Sequence, residues 1–412
     1  MNLNKILSLD LGTTKFCISG IKKEKETDLP KLRVASVPAR GMYRGMLSDL
    51  NEAKEALQDL IEIAEKKLGL DVNEVVVGVA GTHLKSENIS AEIYNPHPSV
   101  VTKKTLDIIE QKAKLKTIDD SKEFLHLIPM SYTIDERTTT KKPNGFTFRK
   151  LRCDFFTIQA DKLYLMNIIK LCNEVGLKIK NLYAEPFASA AVILNQGAKD
   201  CGIIIADIGG GTTDGIIFKA GNPVSVFTIN IGGKITTNDL AVGLGVPFES
   251  AEKLKKFFGL NPRVNQQEVS VLDVYNKQKK ITQAMVKPIL QARVEELAFL
   301  LKKETAKHAL SAQGGLILTG GGSEISYLSD FLEKHLPFKV RKITPSIPTK
   351  LYESVCYTSK TYEIEHYETK YATSLGLLYL EAVNQEKTKK EKNPNKISTL
   401  LKSFVGWIKE LS

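Results

Sequence analysis

The sequence predicts an α/β fold built from two related halves, because a pattern of strand, glycine-containing turn and strand occurs twice in the chain. One copy spans residues 5–20 and the other spans residues 201–219. In each copy a short apolar run ends in an aspartate and is followed by glycine and a Thr-Thr pair. A third glycine cluster, at residues 319–322, also follows an apolar strand. The two copies therefore indicate an internal repeat with a third glycine turn added.

The turn of the second copy is typical of an anion-binding hairpin. Its residues are Asp207, Ile208, Gly209, Gly210, Gly211, Thr212, Thr213 and Asp214. Glycines at such a turn reach positive φ and bring backbone N–H groups to an anion, and the threonine hydroxyls are further donors. Dinucleotide and P-loop motifs are excluded, because those glycines open a helix and these precede a strand. An ordinary glycine turn is the alternative, and the second copy of the pattern argues against it.

Acidic residues flank both turns. The first turn contains Asp10, Gly12, Thr13, Thr14 and Lys15. Carboxylates beside phosphate groups need a divalent cation between them, usually Mg²⁺ held through water. The pattern therefore predicts a Mg²⁺ site near Asp10 and Asp207, with Lys15 and the turn amides on the phosphate oxygens.

The three glycine motifs, in this order and at this spacing, resemble those of the actin, Hsp70 and sugar-kinase superfamily of ATP-binding proteins. The resemblance spans residues 1–383 and implies an actin-like two-lobed ATPase fold with duplicated RNase H-like halves. It also implies that the first two turns bind the ATP phosphates. The third cluster would bind adenosine through Gly320, Gly321 and Gly322. Ser323 is then expected to cap a helix.

Residues 85–162 lack a glycine hairpin and predict a βαββ unit, with a helix at 103–115 and strands at 87–94, 123–135 and 150–159. Further segments are 81–83, 126–129 with 132–135, 171–177, 231–241, 251–255, and 288 with 293–296. Together with the position of the insert, these segments resemble the FtsA family of bacterial cell-division actin homologues. FtsA proteins insert an SHS2-like subdomain at this place, which implies that residues 85–162 form an interaction surface.

The same resemblance assigns further site residues. Gly232 and Gly233 would lie near the nucleotide, and Glu252 and Lys255 would border the ribose and base. A solvated ion pair on one helix is the alternative for Glu252 and Lys255. Glu185 would orient water towards the terminal phosphate, with a salt-bridged helix residue as the alternative. The family implies ATP binding with weak or no ATPase activity, so hydrolysis stays open.

The tail has a different composition. Residues 384–396 contain no apolar residue apart from Pro394, which predicts a flexible linker. An apolar stripe at helical spacing follows, formed by Ile397, Leu400, Leu401, Phe404, Val405, Ile408 and Leu411, with Trp407 at its edge. This face must be buried, either on the protein itself or in a membrane. Residues 385–412 contain seven Lys and three Glu, which favours anionic lipid. The resemblance implies a membrane-targeting amphipathic helix.

These motifs divide the chain into six predicted units. They are the first half (1–84 and 163–197), the insert (85–162), the second half (198–240 and 314–383), its subdomain (241–313), the linker (384–396) and the amphipathic helix (397–412).

The composition indicates where in the cell the protein is located and which partners it is expected to lack. Five scattered cysteines without a Cys-x-x-Cys pair favour reduced thiols, and no signal-peptide pattern or transmembrane run occurs, so we expect a cytoplasmic location. The net charge is +11, but the lysines are interspersed with acidic residues and the sequence contains no nucleic-acid-binding motif. Nucleic acid is therefore not an expected partner.

The resemblance implies how the protein acts. It would polymerise through its body, tether FtsZ filaments to the cytoplasmic membrane at the division septum, and bind other divisome proteins through the insert. The FtsZ C-terminal peptide would dock on residues 241–313, near Arg293, Lys302 and Lys303. Two alternatives stay open: a pilus-type actin-like scaffold and a small-molecule kinase of the sugar-kinase branch.

Overall fold

Two five-stranded sheets with the same strand order form the centre of the molecule. The computed structural model describes residues 6–22, 31–69, 71–116, 119–263, 267–346 and 367–390.

The helices and strands follow one another in four groups. The first half begins with β1 (Leu7–Leu11), β2 (Lys15–Lys22), β3 (Lys31–Pro38), β4 (Met42–Tyr43), β5 (Met46–Leu47), α1 (Leu50–Leu68) and β6 (Glu74–Val79). The insert contains β7 (Lys85–Val100), α2 (Lys103–Leu115), β8 (Lys122–Ile134), β9 (Thr138–Thr140) and β10 (Thr147–Asp161). The chain then returns to the first half with α3 (Lys162–Glu174), β11 (Lys178–Ala184), α4 (Glu185–Ile193) and α5 (Gln196–Asp200). The second half contains β12 (Ile203–Ile208), β13 (Thr213–Lys219), β14 (Asn222–Ile229), α6 (Gly233–Leu244), α7 (Phe248–Phe258), β15 (Glu268–Leu272), β16 (Gln278–Thr282), α8 (Gln283–Thr305), β17 (Leu316–Thr319), α9 (Leu328–His335), β18 (Val340–Lys342) and α10 (Ala372–Lys390).

The two central sheets are copies of one topology. In the first, β1, β2 and β3 are antiparallel, and β6 and β11 join the other side of β1 in parallel. In the second, β12, β13 and β14 are antiparallel, and β17 and β18 join β12 in parallel. This identity confirms the predicted repeat of two related halves.

The strand that leads into the second glycine turn is buried on both faces. Ile204 and Ile208 of β12 belong to a core that also contains residues of α6, α7 and α8. Ile203 and Ile205 face the opposite side and pack with Ala190 of α4. A central strand covered on both faces is held rigidly, so the aspartate at its carboxyl end has a defined position.

The helices α4 and α10 cross in contact between the halves. A Cβ placed on Gly376 of α10 would lie 2.0 Å from the carbonyl oxygen of Ala188 on α4. Only glycine permits this approach of the two backbones. The small residues of α4 and α10 thus let the two helices cross with their backbones in contact.

A buried carboxylate fixes α10 further along. Glu381 is 1% exposed and accepts hydrogen bonds from the Asn181 amide and, at 3.0 Å, from the Tyr183 hydroxyl. The Lys180 ammonium lies 3.5 Å from the same carboxylate. The helix then continues to Lys390. The prediction of a flexible linker from residue 384 is wrong over 384–390, because the helix continues through these polar residues.

The insert forms its own four-stranded sheet in the order β7-β10-β8-β9, with α2 at the predicted residues. β7 runs past the predicted end at residue 94 through two prolines, which an edge strand tolerates because its outer N–H groups need no partner. The short β9 was not predicted. Ser86 at the start of β7 accepts a hydrogen bond of 2.9 Å from the Val226 N–H, which ties the insert to the second half.

The predicted membrane-binding residues 397–412 lie outside the described residues. No helix within the described ranges is long and apolar enough to span a membrane.

Candidate functional site

A cleft of about 500 Å³ lies between the two halves. The structure brings most of the predicted site residues to its walls: Asp10, Gly12, Thr13, Thr14, Lys15, Glu185, Asp207, Gly209, Gly210, Gly211, Thr212, Asp214, Gly233, Glu252, Lys255, Gly320, Gly321 and Gly322. They come from six separate segments of the chain: 10–15, 185, 207–214, 233, 252–255 and 320–322. The strand ends of both sheets and the helices that follow them converge on this cleft.

The two hairpin turns face each other at close range. A Cβ on Gly210 would lie 2.2 Å from Thr14 Cγ2, and one on Gly211 would lie 2.5 Å from Thr13 Oγ1. The Thr13 hydroxyl in turn accepts a 2.9 Å hydrogen bond from the Gly45 N–H. Glycine is therefore required at both positions of the second turn, since any side chain would push the first turn away.

The second turn is oriented by the start of α6. The carbonyl oxygens of Gly209 and Gly210 accept hydrogen bonds of 2.9 and 2.8 Å from the N–H groups of residues 233 and 234. In a trans peptide the C=O and the following N–H point in opposite directions. The N–H groups of Gly210 and Gly211 therefore point away from α6, and neither donates to a backbone acceptor within the described parts of the chain. This arrangement suits an anion.

The aspartates at the two strand ends have different surroundings. One carboxylate oxygen of Asp207 accepts from the Ser189 hydroxyl at 2.7 Å and the Thr373 hydroxyl at 3.1 Å. Ser189 lies on α4 and Thr373 on α10, so both connecting helices bond to one oxygen. No described residue donates a hydrogen bond to the carboxylate of Asp10.

Burial raises the pKa of every carboxyl group in the cleft wall between the hairpins. Desolvation, opposed by Lys15 and assisted by the Asp207 charge, raises the pKa of Asp10 to about 6. Desolvation also raises the pKa of Asp214 to about 6, although the Thr212 and Thr228 hydroxyls each donate to its carboxylate at 2.6 Å. The pKa of Asp207 is raised by burial as well.

Glu185 has the largest surplus of neighbouring negative charge. Desolvation and the charges of Asp10, Asp214 and Asp207 raise its pKa well above the usual range. The carboxylate lies against Gly78, where a Cβ would be 2.8 Å from Glu185 Oε1. No described residue forms an ion pair with it, so the alternative of a salt-bridged helix residue is wrong.

Lys15 is the cation nearest to these carboxyl groups. Its ammonium donates a 2.8 Å hydrogen bond to the Lys370 carbonyl and lies 4.7 Å from the centre of the Tyr371 ring. Lys370 precedes α10 in the second half. The lysine of the first hairpin therefore crosses the cleft in this structure.

The third glycine cluster lies beside the second hairpin. A Cβ on Gly320, which has φ +82, would lie 2.1 Å from Asp207 Oδ1. The Gly320 carbonyl accepts from the hydroxyls of Ser323 at 2.6 Å and Thr369 at 2.9 Å. The prediction that Ser323 caps a helix is wrong, because its hydroxyl closes the 3₁₀ turn Gly321–Glu324 and α9 begins only at Leu328.

Lys255 is a buried residue, 5% exposed, and all three of its donors are used. Its ammonium bonds to the Gly233 carbonyl at 2.9 Å, the Thr237 hydroxyl at 2.7 Å and Glu252 at 2.6 Å. The alternative of a solvated surface pair is therefore wrong. The network joins α6 to α7 and closes one side of the cleft.

Two predicted site residues do not line the cleft. The Thr213 hydroxyl is fully buried and donates to the Ile231 carbonyl at 2.7 Å, so it is unavailable to a ligand. Gly232 packs against the second hairpin, where a Cβ would lie 2.5 Å from the Gly210 carbonyl oxygen. Strand alternation turns the Thr213 side chain away from the cleft. Thr213 and Gly232 therefore both pack behind the second turn, on the side away from the cleft.

Several cleft residues were not predicted. They are Leu11, Gly45, Ala80, Lys234, Phe248, Lys256, Glu324, Glu368, Thr369, Lys370 and Thr373. Lys234 directly follows the predicted glycine pair, which was an available signal. Residues 368–373 lie just before and at the start of α10, and nothing in their sequence indicates that they reach the cleft.

The donor set suits a cation with few protein ligands. No group of three or more His, Cys, Asp or Glu side chains within the described ranges is arranged to hold a metal ion directly. Mg²⁺ in phosphate sites is held by one or two carboxylates, with waters and phosphate oxygens completing its shell. The carboxylates of Asp10 and Asp207, on opposite hairpins and without an ion pair to any described residue, fit that role.

Duplicated sheets that close on a glycine-lined cleft define an actin-like ATPase fold. Solved structures with this fold agree. The PilM-PilN type IV pilus biogenesis complex matches with a TM-score of 0.61 at 16% identity, over 92% of this chain and 98% of that chain. MreB5 of Spiroplasma citri bound to ADP gives 0.55 at 14% identity, over 94% and 98%. The MamK double helical filament gives 0.51 at 14% identity, over 91% and 98%. The predicted actin-like fold is confirmed.

Family models and related sequences identify a particular family within this fold. The family model for "Cell division protein FtsA" matches residues 204–376, and that for "SHS2 domain inserted in FTSA" matches residues 81–159. Relatives named Cell division protein FtsA include that of Borreliella burgdorferi, 25% identical over 99% of this chain and 98% of the relative. That of Escherichia coli is 25% identical over 98% and 97%, and that of Bacillus subtilis is 24% identical over 84% and 80%. The chain belongs to the FtsA family.

Proposed function

We propose that this chain is a cell-division protein that binds Mg·ATP in its cleft, polymerises through its actin-like body and tethers FtsZ filaments to the cytoplasmic membrane at the septum. One observation carries the nucleotide-binding part of the proposal. Two glycine hairpins from duplicated halves face each other, with free N–H groups in one and a lysine in the other.

The proposed roles follow from the positions in the cleft. The N–H groups of Gly210 and Gly211 and the ammonium of Lys15 would bind phosphate oxygens. The turn at Gly320–Gly322 would lie against adenosine, since its glycines leave a flat backbone surface. Asp10 and Asp207 would hold Mg²⁺ through water, and the ion would supply positive charge between the carboxylates and the phosphates.

Hydrolysis would be weak. Burial and the charges of Asp10, Asp214 and Asp207 raise the pKa of Glu185 well above its usual range, which disfavours the carboxylate form that could take a proton from water. Positive charge entering the cleft would lower this pKa and favour the carboxylate. Glu185 is thus proposed to orient water in a slow ATPase.

The surfaces for protein partners are proposed to lie outside the cleft wall. The FtsZ C-terminal peptide is proposed to dock on residues 241–313. Arg293 there is paired with Asp239 at 2.6 Å and also with Glu296, so its charge is already compensated. The exposed Lys302 and Lys303 on α8 are better contacts for an acidic peptide. Other divisome proteins are proposed to bind the insert.

Membrane attachment is assigned to residues 397–412. Their apolar stripe would enter the interface of anionic lipid, with Trp407 at the boundary. A single helix of this kind binds reversibly, so polymerisation would strengthen attachment by placing many helices on one surface. Family membership favours this function over the pilus-type scaffold.

Liposome co-sedimentation tests the proposal. The full chain and a chain that ends at Lys390, where α10 ends, would be spun with anionic vesicles in the presence of ATP and Mg²⁺, with and without an FtsZ C-terminal peptide. We expect only the full chain to pellet and to carry the peptide with it. Equal pelleting of both chains would disprove the membrane role, and failure to bind fluorescent ATP would disprove the nucleotide site.

A further inference from the structure

Lys234 is the second residue of α6 and lines the cleft. Its side chain has had no role in the site as described so far. Its backbone N–H donates to the Gly210 carbonyl at 2.8 Å, so its Cα is held beside the second hairpin. The preceding residue, Gly233, reaches the third cluster, where its Cβ would lie 3.5 Å from Gly322 Cα. Lys234 therefore stands between the proposed phosphate and adenosine regions.

The position is unfavourable for a lysine on helix grounds. The first turn of a helix carries partial positive charge, and acidic residues stabilise it whereas basic ones do not. α6 has no acidic residue in its first turn and no side-chain cap. The helix alone gives no reason for a cation here, but an anion in the cleft would interact favourably with both the lysine and the helix end.

The other lysines of the cleft wall already have partners. Lys255 is fully bonded, as described above, and Lys256 pairs with Glu252 at 3.2 Å. Lys370 pairs with Glu368 at 2.7 Å, and Lys15 donates to a carbonyl. The Lys234 side chain is exposed and forms no hydrogen bond or ion pair with any residue that the structure describes. It is the cleft lysine whose charge is uncommitted among these residues.

We infer that Lys234 binds the phosphate chain of the nucleotide from the second-half side, opposite Lys15. The inference rests on the proposed function, because it names a further ligand of the same nucleotide. Two lysines from opposite halves would then hold one phosphate chain. Affinity for nucleotides over nucleosides would depend on both.

Equilibrium binding of ATP, ADP and adenosine to the full chain tests this inference. Lys234→Ala is expected to weaken ATP and ADP about tenfold, the usual worth of one charge-assisted hydrogen bond, and to leave adenosine unchanged. Lys234→Arg should keep most of the affinity, because it keeps the charge. Lys253→Ala is the matched control, since Lys253 is an exposed lysine on the neighbouring α7 that does not line the cleft. It should bind all three ligands as the unmodified chain does.

The outcomes separate this inference from the proposed function. Equal ATP affinity in Lys234→Ala and Lys253→Ala, with normal binding by the unmodified chain, would overturn the role of Lys234 alone. Equal weakening of ATP, ADP and adenosine would also overturn it, because a general disturbance of the cleft would not depend on phosphate. Absence of ATP binding by the unmodified chain would overturn both proposals. Without nucleotide, Lys234→Ala should unfold at the same temperature as the unmodified chain or slightly above it, since removing the lysine relieves the helix end.

Discussion

The two hairpins come from halves with the same topology, yet they have different tasks. The first hairpin carries a lysine, and its aspartate, Asp10, receives no hydrogen bond from the described residues. The second has only small residues in its turn, and its aspartate, Asp207, is bonded to both connecting helices. The two hairpins thus share one backbone plan but differ in their side chains. The first hairpin contributes a positive charge, and the second is hydrogen-bonded to the connecting helices α4 and α10.

The largest effect is expected from breaking the contact between the hairpins. Gly210→Val should lower ATP affinity by about 100-fold or more, because its side chain would occupy the space of Thr14 and push the turns apart. Gly197→Val is the control, since a Cβ there is 3.6 Å from its nearest neighbour on an exposed helix. Titration with fluorescent ATP measures both. Similar affinities in the two variants would show that the hairpins do not bind the ligand jointly.

The first hairpin offers a change with opposite effects on binding and stability. Asp10→Asn should weaken Mg·ATP about tenfold through loss of a carboxylate, and should raise the unfolding temperature of the nucleotide-free protein by about 1–3 °C near pH 7.5. The stabilisation follows because the buried charge is removed.

The gain in unfolding temperature from Asp10→Asn should depend on pH in a definite direction. Burial raises the folded-state pKa of Asp10 to about 6, so its protonated form stabilises the protein at low pH and this stability is lost as pH rises through about 6. The gain in unfolding temperature from Asp10→Asn should therefore be small near pH 4, grow as pH rises, and level off above about pH 7. A gain that shrinks over this range would contradict the burial of an uncompensated charge.

The smallest effect concerns the link to the connecting helices. Ser189→Ala removes the shorter of the two hydroxyl bonds to Asp207 and should raise the pKa of that carboxyl further, which weakens Mg·ATP by about threefold to tenfold. Ser374→Ala on α10, whose hydroxyl contacts the Cys17 sulfur at 3.6 Å, is the control. Calorimetric titration with and without Mg²⁺ measures the difference. An equal loss of Mg²⁺-free ATP would mean that Ser189 acts on helix packing instead.

Local sequence was sufficient to predict the turns and the repeat, because an apolar run followed by glycines and threonines indicates a strand that ends in a tight turn. Side-chain direction was not predictable in the same way. Thr212 and Thr213 look equivalent in the sequence, but strand alternation sends one to the cleft and the other to the Ile231 carbonyl.

Contacts between distant segments set the remaining limits. Ser189 and Thr373 meet at Asp207 only because two helices cross at a particular angle, which no short pattern specifies. The burial of Lys255 likewise depends on how α7 packs on α6. The end of α10 was misjudged because the polar composition of residues 384–390 is typical of a linker, whereas these residues extend a helix that begins at Ala372.

The continuous helix that ends at Lys390 has a consequence for assembly. Lys390 lies nine residues after the buried Glu381, a rise of about 13 Å along the helix at 1.5 Å per residue. The body of the protein therefore determines the direction in which this part of the helix points. In any assembly whose identical subunits share one orientation, the Lys390 ends of all these helices would lie on the same side.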